Sequence, residues 1–204
     1  MRPNIYLWLL PLILFLSACS DAPKTAEQKA PAKPIEALTG RQAFQQMYPQ
    51  ARGWAPDAQP LRISSLNLAE VKADKGKAGV WQVIFVSPSR AKAKTYTWSA
   101  VEAEGNLHQG VFGGAEETYT PRGDSTPFEI AAIKVDSDEA YATAAKESAD
   151  YIKKNPDKPV IFLMELGKRF PDVTWRVIWG DSVGTSDYSV FVDGSTGKYL
   201  ERMH

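Results

Sequence analysis

Few side chains in this 204-residue sequence have the type and spacing to do chemistry of their own. There is one thiol, Cys19, and there are two imidazoles, His108 and the terminal His204. A zinc site or a histidine-based catalytic centre needs several ligands, or a partner held beside the imidazole. No H-E-x-x-H, G-x-S-x-G or G-x-x-x-x-G-K-[ST] string occurs. Carboxylates gather at Glu116-Glu117, at Asp136, Asp138 and Glu139, and at Asp181, Asp187 and Asp193. None of these groups has the ligand spacing of a calcium loop. The second reads as a helix cap and the third as hairpin turns. Arg122-Gly123-Asp124, beside Pro121, reads as a turn. The expectation is a protein that is not an enzyme, with no catalytic residues, no metal and no cofactor. Recognition chemistry falls to the aromatic residues. Among the tryptophans, Trp54, Trp98 and Trp179 are the candidate binding anchors.

Cys19 stands apart because of what precedes it. Arg2 leads into an apolar run of 12 residues, 5–16, and then Ser17, Ala18 and Cys19. A basic start, a short apolar core and small residues before a cut site make a secretory signal peptide. The run is too short to span hydrocarbon, which takes roughly 20 residues. Leu16-Ser17-Ala18-Cys19 resembles the lipobox of bacterial lipoproteins. The resemblance implies a diacylglycerol and a fatty acyl chain, such as palmitate, on Cys19, and cleavage after residue 18. It further implies a Gram-negative cell envelope address. Ser20 is permissive for export to the outer membrane, on the side facing the periplasm.

Cleavage would leave 186 residues, with 23 basic and 24 acidic side chains. That balance excludes the basic face of a nucleic-acid binder and a polybasic membrane patch. With Cys19 acylated there is no disulfide and no thiolate ligand, so stability must come from packing. The chain's 22 aromatic residues can supply that core.

Residues 19–38 hold the lipidated cysteine and a linker of alanine, proline and lysine without an aromatic ring. Such a segment cannot bury enough apolar surface to offset ordering, and its prolines keep it extended over roughly 25–50 Å. The globular part begins at Thr39, which has capping-box spacing to Gln42. Helical spacing follows until Pro49, where the helix is expected to end or kink. Strands are expected over 61–68 and 79–87, then a hairpin of 94–104 and 106–112 turning at Glu104-Gly105-Asn106. Residues 113–127, rich in glycine and proline, read as a loop or irregular edge. A short strand over 128–135 precedes a second helix, capped by Asp136 with Glu139 and stopped at Asn155-Pro156. Strands over 160–167, 173–180, 188–193 and 198–203 complete the chain.

Two of these strands share a spelling. Trp81-Gln82-Val83-Ile84-Phe85 precedes Trp175-Arg176-Val177-Ile178-Trp179 by 94 residues. Each follows a capped helix and a strand, and each leads to a tyrosine-led strand. Tyr96 and Tyr188 both lie nine residues before a turn glycine. The fold expected is α+β, with two tandem helix-on-antiparallel-sheet units over 39–127 and 128–204.

The second unit resembles a PepSY-type domain. The resemblance rests on Trp175-Arg176-Val177 and on Tyr188 to Asp193, followed by Gly194-Ser195-Thr196-Gly197-Lys198-Tyr199-Leu200. Gly194 replaces the alanine more usual at that place. The motif itself describes a turn, with Asp193 bonding forward to backbone amides and Gly197 at positive φ. The resemblance implies an envelope-attached binding module for a protein or peptide, with peptidase inhibition among its roles, and it brings no catalytic residues. The alternative expectation is a small-ligand carrier with an aromatic pocket between the two sheets. Oligomeric state is not legible.

Overall fold

The computed structural model describes residues 36–203. The expected signal peptide, Cys19 and most of the linker lie outside the described residues, as does His204.

The first half of the fold opens with β1 (Leu38–Thr39) and α1 (Gly40–Trp54). The predicted capping box is present. The Thr39 hydroxyl accepts the Gln42 amide at 3.3 Å, and Gln42 Oε1 accepts the Thr39 amide at 3.1 Å. Helical spacing buries Ala43, Phe44, Met47 and Ala51 on one face. The helix does not stop at Pro49. Proline leaves the Gln45 carbonyl without its intrahelical donor, but both residues are exposed and water can take that place.

Four longer strands follow in this half: β2 (Gln59–Leu66), β4 (Val80–Ser87), β5 (Lys92–Ser99) and β6 (Gly110–Thr118). Between the first two, β3 (Lys77–Ala78) pairs with β1 in a two-stranded sheet of its own. Gly105 and Asn106 take positive φ at the predicted turn between β5 and β6. Residues 113–118, expected as loop, extend β6 instead. A Cβ on Gly113 would lie 2.9 Å from Tyr96 Cε1. That glycine marks a close approach beside a register shift in an edge strand.

Residues 128–135, expected as a strand, pair with no strand over their length. Ile130–Ala132 is a single 3-10 turn, and the Lys134 and Val135 amides both reach the Gly194 carbonyl. Asp136 and Glu139 then cap α2 (Ser137–Glu147), which breaks at Ser148 and resumes as α3 (Ala149–Lys154). The second half ends with β7 (Val160–Glu165), β8 (Thr174–Trp179), β9 (Tyr188–Asp193) and β10 (Tyr199–Met203). The closing turn is built as its motif requires. Asp193 Oδ1 accepts the Ser195 and Thr196 amides, each at 2.8 Å, and Gly197 has φ 72°.

The eight longer strands form one antiparallel sheet in the order β10-β9-β8-β7-β2-β4-β5-β6. The fold is α+β, as expected. The order is mirrored about its centre, because the first long strand of each half meets the other. Arg62, Ile63 and Ser64 of β2 pair with Glu165, Met164 and Leu163 of β7. The halves therefore join edge to edge, and two sheets do not face each other. That removes the inter-sheet space in which the carrier expectation placed its ligand.

The halves repeat each other in detail. Trp81 and Trp175 are both fully buried. Trp81 Nε1–H donates to the Leu38 carbonyl at 2.9 Å, and Trp175 Nε1–H donates to the Val135 carbonyl at 2.9 Å. Each acceptor is the residue just before a helix N-cap. A buried indole N–H needs a partner, and both halves supply it from the same place. The strand register corrects one sequence equivalence. Trp81 faces Trp98 and Val83 faces Tyr96, whereas Trp175 faces Val192 and Val177 faces Val190. Tyr96 thus corresponds to Val190, two residues beyond Tyr188.

The joint between the halves is tight on the helix side. The Trp81 and Trp175 rings meet edge-on at 6.2 Å, and Trp81 also packs on Phe162 at 5.9 Å. Gly40, at the start of α1, fits over both indoles. A Cβ there would lie 2.7 Å from Trp175 Cη2 and 3.1 Å from Trp81 Cη2. The two helix starts share one carboxylate. Asp136 accepts the Thr39 hydroxyl at 2.6 Å, the Arg41 amide at 2.9 Å and the Ser137 amide at 2.7 Å. Ser137 Oγ adds a bond from the Gly40 amide at 2.7 Å. One anion so placed satisfies free amides of both helices and faces both positive ends.

Candidate functional site

Strand alternation sends Trp81, Val83, Phe85, Trp175, Val177 and Trp179 to one face, where α1 and α2 cover them in a single core. The opposite face carries Arg62, Ser64, Gln82, Ile84, Thr97, Phe112, Leu163, Arg176 and Phe191. Neither helix packs on it. Ile161, Leu163 and Ile178 make a small separate apolar cluster there, buried among their neighbours. Around that cluster the face is polar and aromatic.

None of the three candidate tryptophans lies on this open face. Trp179 is 2% exposed, in the core between the Tyr151 and Tyr188 rings, and has no surface to offer a partner. Trp98 is half-buried on the helix side, opposite Trp81 and Val111. Trp54 is half-buried at the end of α1 and already engaged. Its Nε1–H donates to Glu116 Oε1 at 2.6 Å, and the Arg90 guanidinium lies 5.2 Å from its ring. The Trp54 indole and then Arg90 hold the Glu116 carboxyl below its usual range. The three are not brought together. Tryptophan content alone overlooked the cations and phenylalanines; for Arg176 the signal was its place one residue after a strand tryptophan.

Two ionic groups organise the open face, one at the joint and one toward the β10 edge. Arg62 Nη2 lies 2.8 Å from Glu165 Oε2, and the Ser125 hydroxyl donates to the same oxygen at 2.6 Å. Arg169 grips Glu201 through Nη2 at 2.6 Å and Nε at 3.0 Å. Its guanidinium also sits 4.8 Å from the Phe191 ring centre. Arg176 flanks Phe191 as well, at 5.5 Å, and its Nε–H donates to Ser189 Oγ at 3.0 Å. Burial first, and then repulsion from Arg169, push the Arg176 guanidinium below its ordinary value. An arginine so placed is still a cation at neutral pH.

Glu165, Arg169, Arg176 and Phe191 border a cleft of about 220 Å³. The geometry suits binding by stacking and charge-assisted hydrogen bonds. Elsewhere several titratable groups are engaged in structural pairs. His108 Nδ1 meets Glu102 Oε1 at 2.8 Å, and Lys158 and Tyr151 both bond Asp187. Among the described residues, no cluster of three or more histidine, cysteine or acidic side chains is placed to hold a metal ion. Among them too, no helix is long and apolar enough to cross a membrane.

No family model matches the chain, so the PepSY resemblance has no family match behind it, and no curated protein matches the chain. Among solved structures there is a distant likeness to a protein of Clostridium difficile 630 described as a candidate lipoprotein. The two share 13% identity with a TM-score of 0.46, over 83% of this chain and 96% of that one.

Proposed function

We propose that the protein is a lipid-anchored envelope protein, held by acylated Cys19 at the periplasmic side of the outer membrane. In this reading it binds a protein or peptide without catalysis. The observation that carries the binding reading is the sheet face that neither helix covers, set with arginines and phenylalanines among polar residues. An open face of mixed charge and ring surface offers oriented bonds to a partner, and its few buried apolar residues limit nonspecific association. The two halves are read as PepSY-like units, on the motif from Trp175 to Leu200 and on the repeat that extends it to the first half. Lipidation rests on the segment that ends at Cys19.

Two experiments test the parts separately. Cys19→Ser should abolish fatty-acid labelling and free the protein from membranes. Labelling that persists sinks the anchor. For the binding face, a photoreactive phenylalanine analogue replaces Phe112 or Phe191 in cells, with Gln45 on the solvent side of α1 as the control site. Discrete adducts are expected from the two open-face positions and not from Gln45. Equal adducts from all three, or none from the open face, refute it.

A further inference from the structure

Three described arginines are partly sheltered from solvent: Arg41, Arg62 and Arg176. Arg41 pairs with Asp136 and Glu139, and Arg62 pairs with Glu165. Arg176 has no carboxylate partner within salt-bridge distance among the described residues. The nearby acids are committed, Glu165 to Arg62 and Ser125, and Glu201 to Arg169. Only Nε of Arg176 is bonded, to Ser189, so both terminal nitrogens are left for another acceptor. A cation withdrawn from water without a counter-ion is costly, and an incoming anion recovers that cost.

The surroundings narrow the anion. The guanidinium is fixed from below by Phe191 and at its side by Ser189, so its fork is pre-oriented for two coplanar oxygens. Phe170 and Met203 give the cleft apolar walls. Glu165 and Asp124 stand on its border with Arg169, Lys168 and Arg176, and Lys168 pairs with Asp124 at 3.1 Å, so the border carries one net positive charge, which a monoanion matches. A volume of about 220 Å³ accepts an end group, not a whole ligand of ordinary size. The equivalent place in the first half holds Gln82 against Thr97, a neutral pair that bonds to itself at 3.5 Å.

We infer that the cleft between Arg176, Phe191 and Phe170 binds a monoanionic carboxylate carried on an apolar or aromatic group. The source is the free C-terminus of a peptide or a small organic acid. This deepens the binding reading and rests on it.

The test is a ligand-observed NMR titration of the detergent-solubilised full chain. The probes are the peptide Ala-Ala-Phe, benzoate, the amide of each, and inorganic phosphate. At least one carboxylate should bind about ten-fold or more tighter than its amide, as expected for a charge-assisted pair. Saturation by Ala-Ala-Phe alone identifies a peptide end, and saturation by benzoate identifies a small acid. Arg176→Gln, which installs the first half's residue, should erase the preference for carboxylate. Arg176→Lys, which keeps charge without the fork, should lose part of it. Unchanged melting temperatures confirm that both variants are folded. Amides that bind as well as acids, phosphate that binds as tightly, or an Arg176→Gln variant with full selectivity would overturn the site. Photocrosslinking from Phe112 that survives such a result would leave the open-face reading standing. Its absence from the unaltered protein would remove both.

Discussion

Gln82 and Arg176 occupy the same place in the two halves, each one residue after a buried tryptophan. Their cross-strand neighbours are Thr97 and Phe191. On the helix side the two tryptophan strands keep Trp81 with Trp175 and Val83 with Val177, although across from them Trp98 and Tyr96 correspond to Val192 and Val190. On the open side Ile84 matches Ile178, but the residue beside it has parted, Gln82 neutral and bonded to Thr97, Arg176 cationic and flanked by Phe191. Helix-side residues are held by packing against a shared core, where a change of even one methylene is felt. Open-side residues face no such constraint. In the proposed reading, the difference sets the carboxylate site in the second half of the open face.

The likeness of the two helix-side cores can be tested most severely at the tryptophans. Trp81→Ala and Trp175→Ala should each cost about 3–5 kcal/mol, as large-to-small core changes do. The rings touch, so the double variant should cost less than the sum of the two. Urea unfolding of the three proteins measures this. A strictly additive result would mean that the halves do not share a core. A gentler probe is Gly40→Ala, whose Cβ would press on both indoles. It should cost about 1–3 kcal/mol, in the range of overpacking. A neutral outcome would show that the joint is loose.

The smallest effect separates the hairpins by their response to acid. In the first half, Asp57 accepts the Ser87 hydroxyl at 2.7 Å and the Ser89 amide at 2.9 Å, closing the turn between β4 and β5. The Ser87 hydroxyl first, then the Ser89 amide, hold its carboxyl down to about 2 from 3.8. A carboxyl lowered by folding stabilises the native state above its unfolded value, and the benefit is lost as pH falls through the folded one. Stability should therefore decline from about pH 4 toward pH 2. Asp57→Asn should flatten part of that decline. Chemical denaturation between pH 2 and 5 reads the slope, and equal slopes in both proteins would rule Asp57 out.

What was legible in the sequence was local. The two capping boxes, the turn at Gly105 and the closing turn at Asp193 each depend on residues a few positions apart, and each is present. The paired tryptophan strands were visible because burial fixes their spelling. The misreadings came from longer range. Pro49 was expected to end or kink α1, but the helix runs on to Trp54, and the Gln45 carbonyl that the proline frees belongs to an exposed residue. The glycines at 113 and 114 signal close approach in an edge strand as readily as they signal a loop. Residues 128–135 are apolar because they fill a gap, and no periodicity distinguishes that from a strand. The pairing of β2 with β7 joins residues about 100 positions apart, and no local pattern announces it. The cleft beside Arg176 was hidden for the same reason, since Arg169, Arg176 and Phe191 come from three separate segments.

The mirrored strand order bears on ancestry. Two equal units joined by their first strands, with matching tryptophans in contact and helix starts bonded across, have the geometry of a two-fold symmetric dimer written into one chain. A lone unit would leave its first strand as a bare edge, which a second copy could cover. A true homodimer must carry every surface feature twice. Fusion lifts that obligation, so one copy can keep a plain glutamine while the other acquires an arginine. A single chain of this geometry can carry an asymmetric surface on a symmetric core.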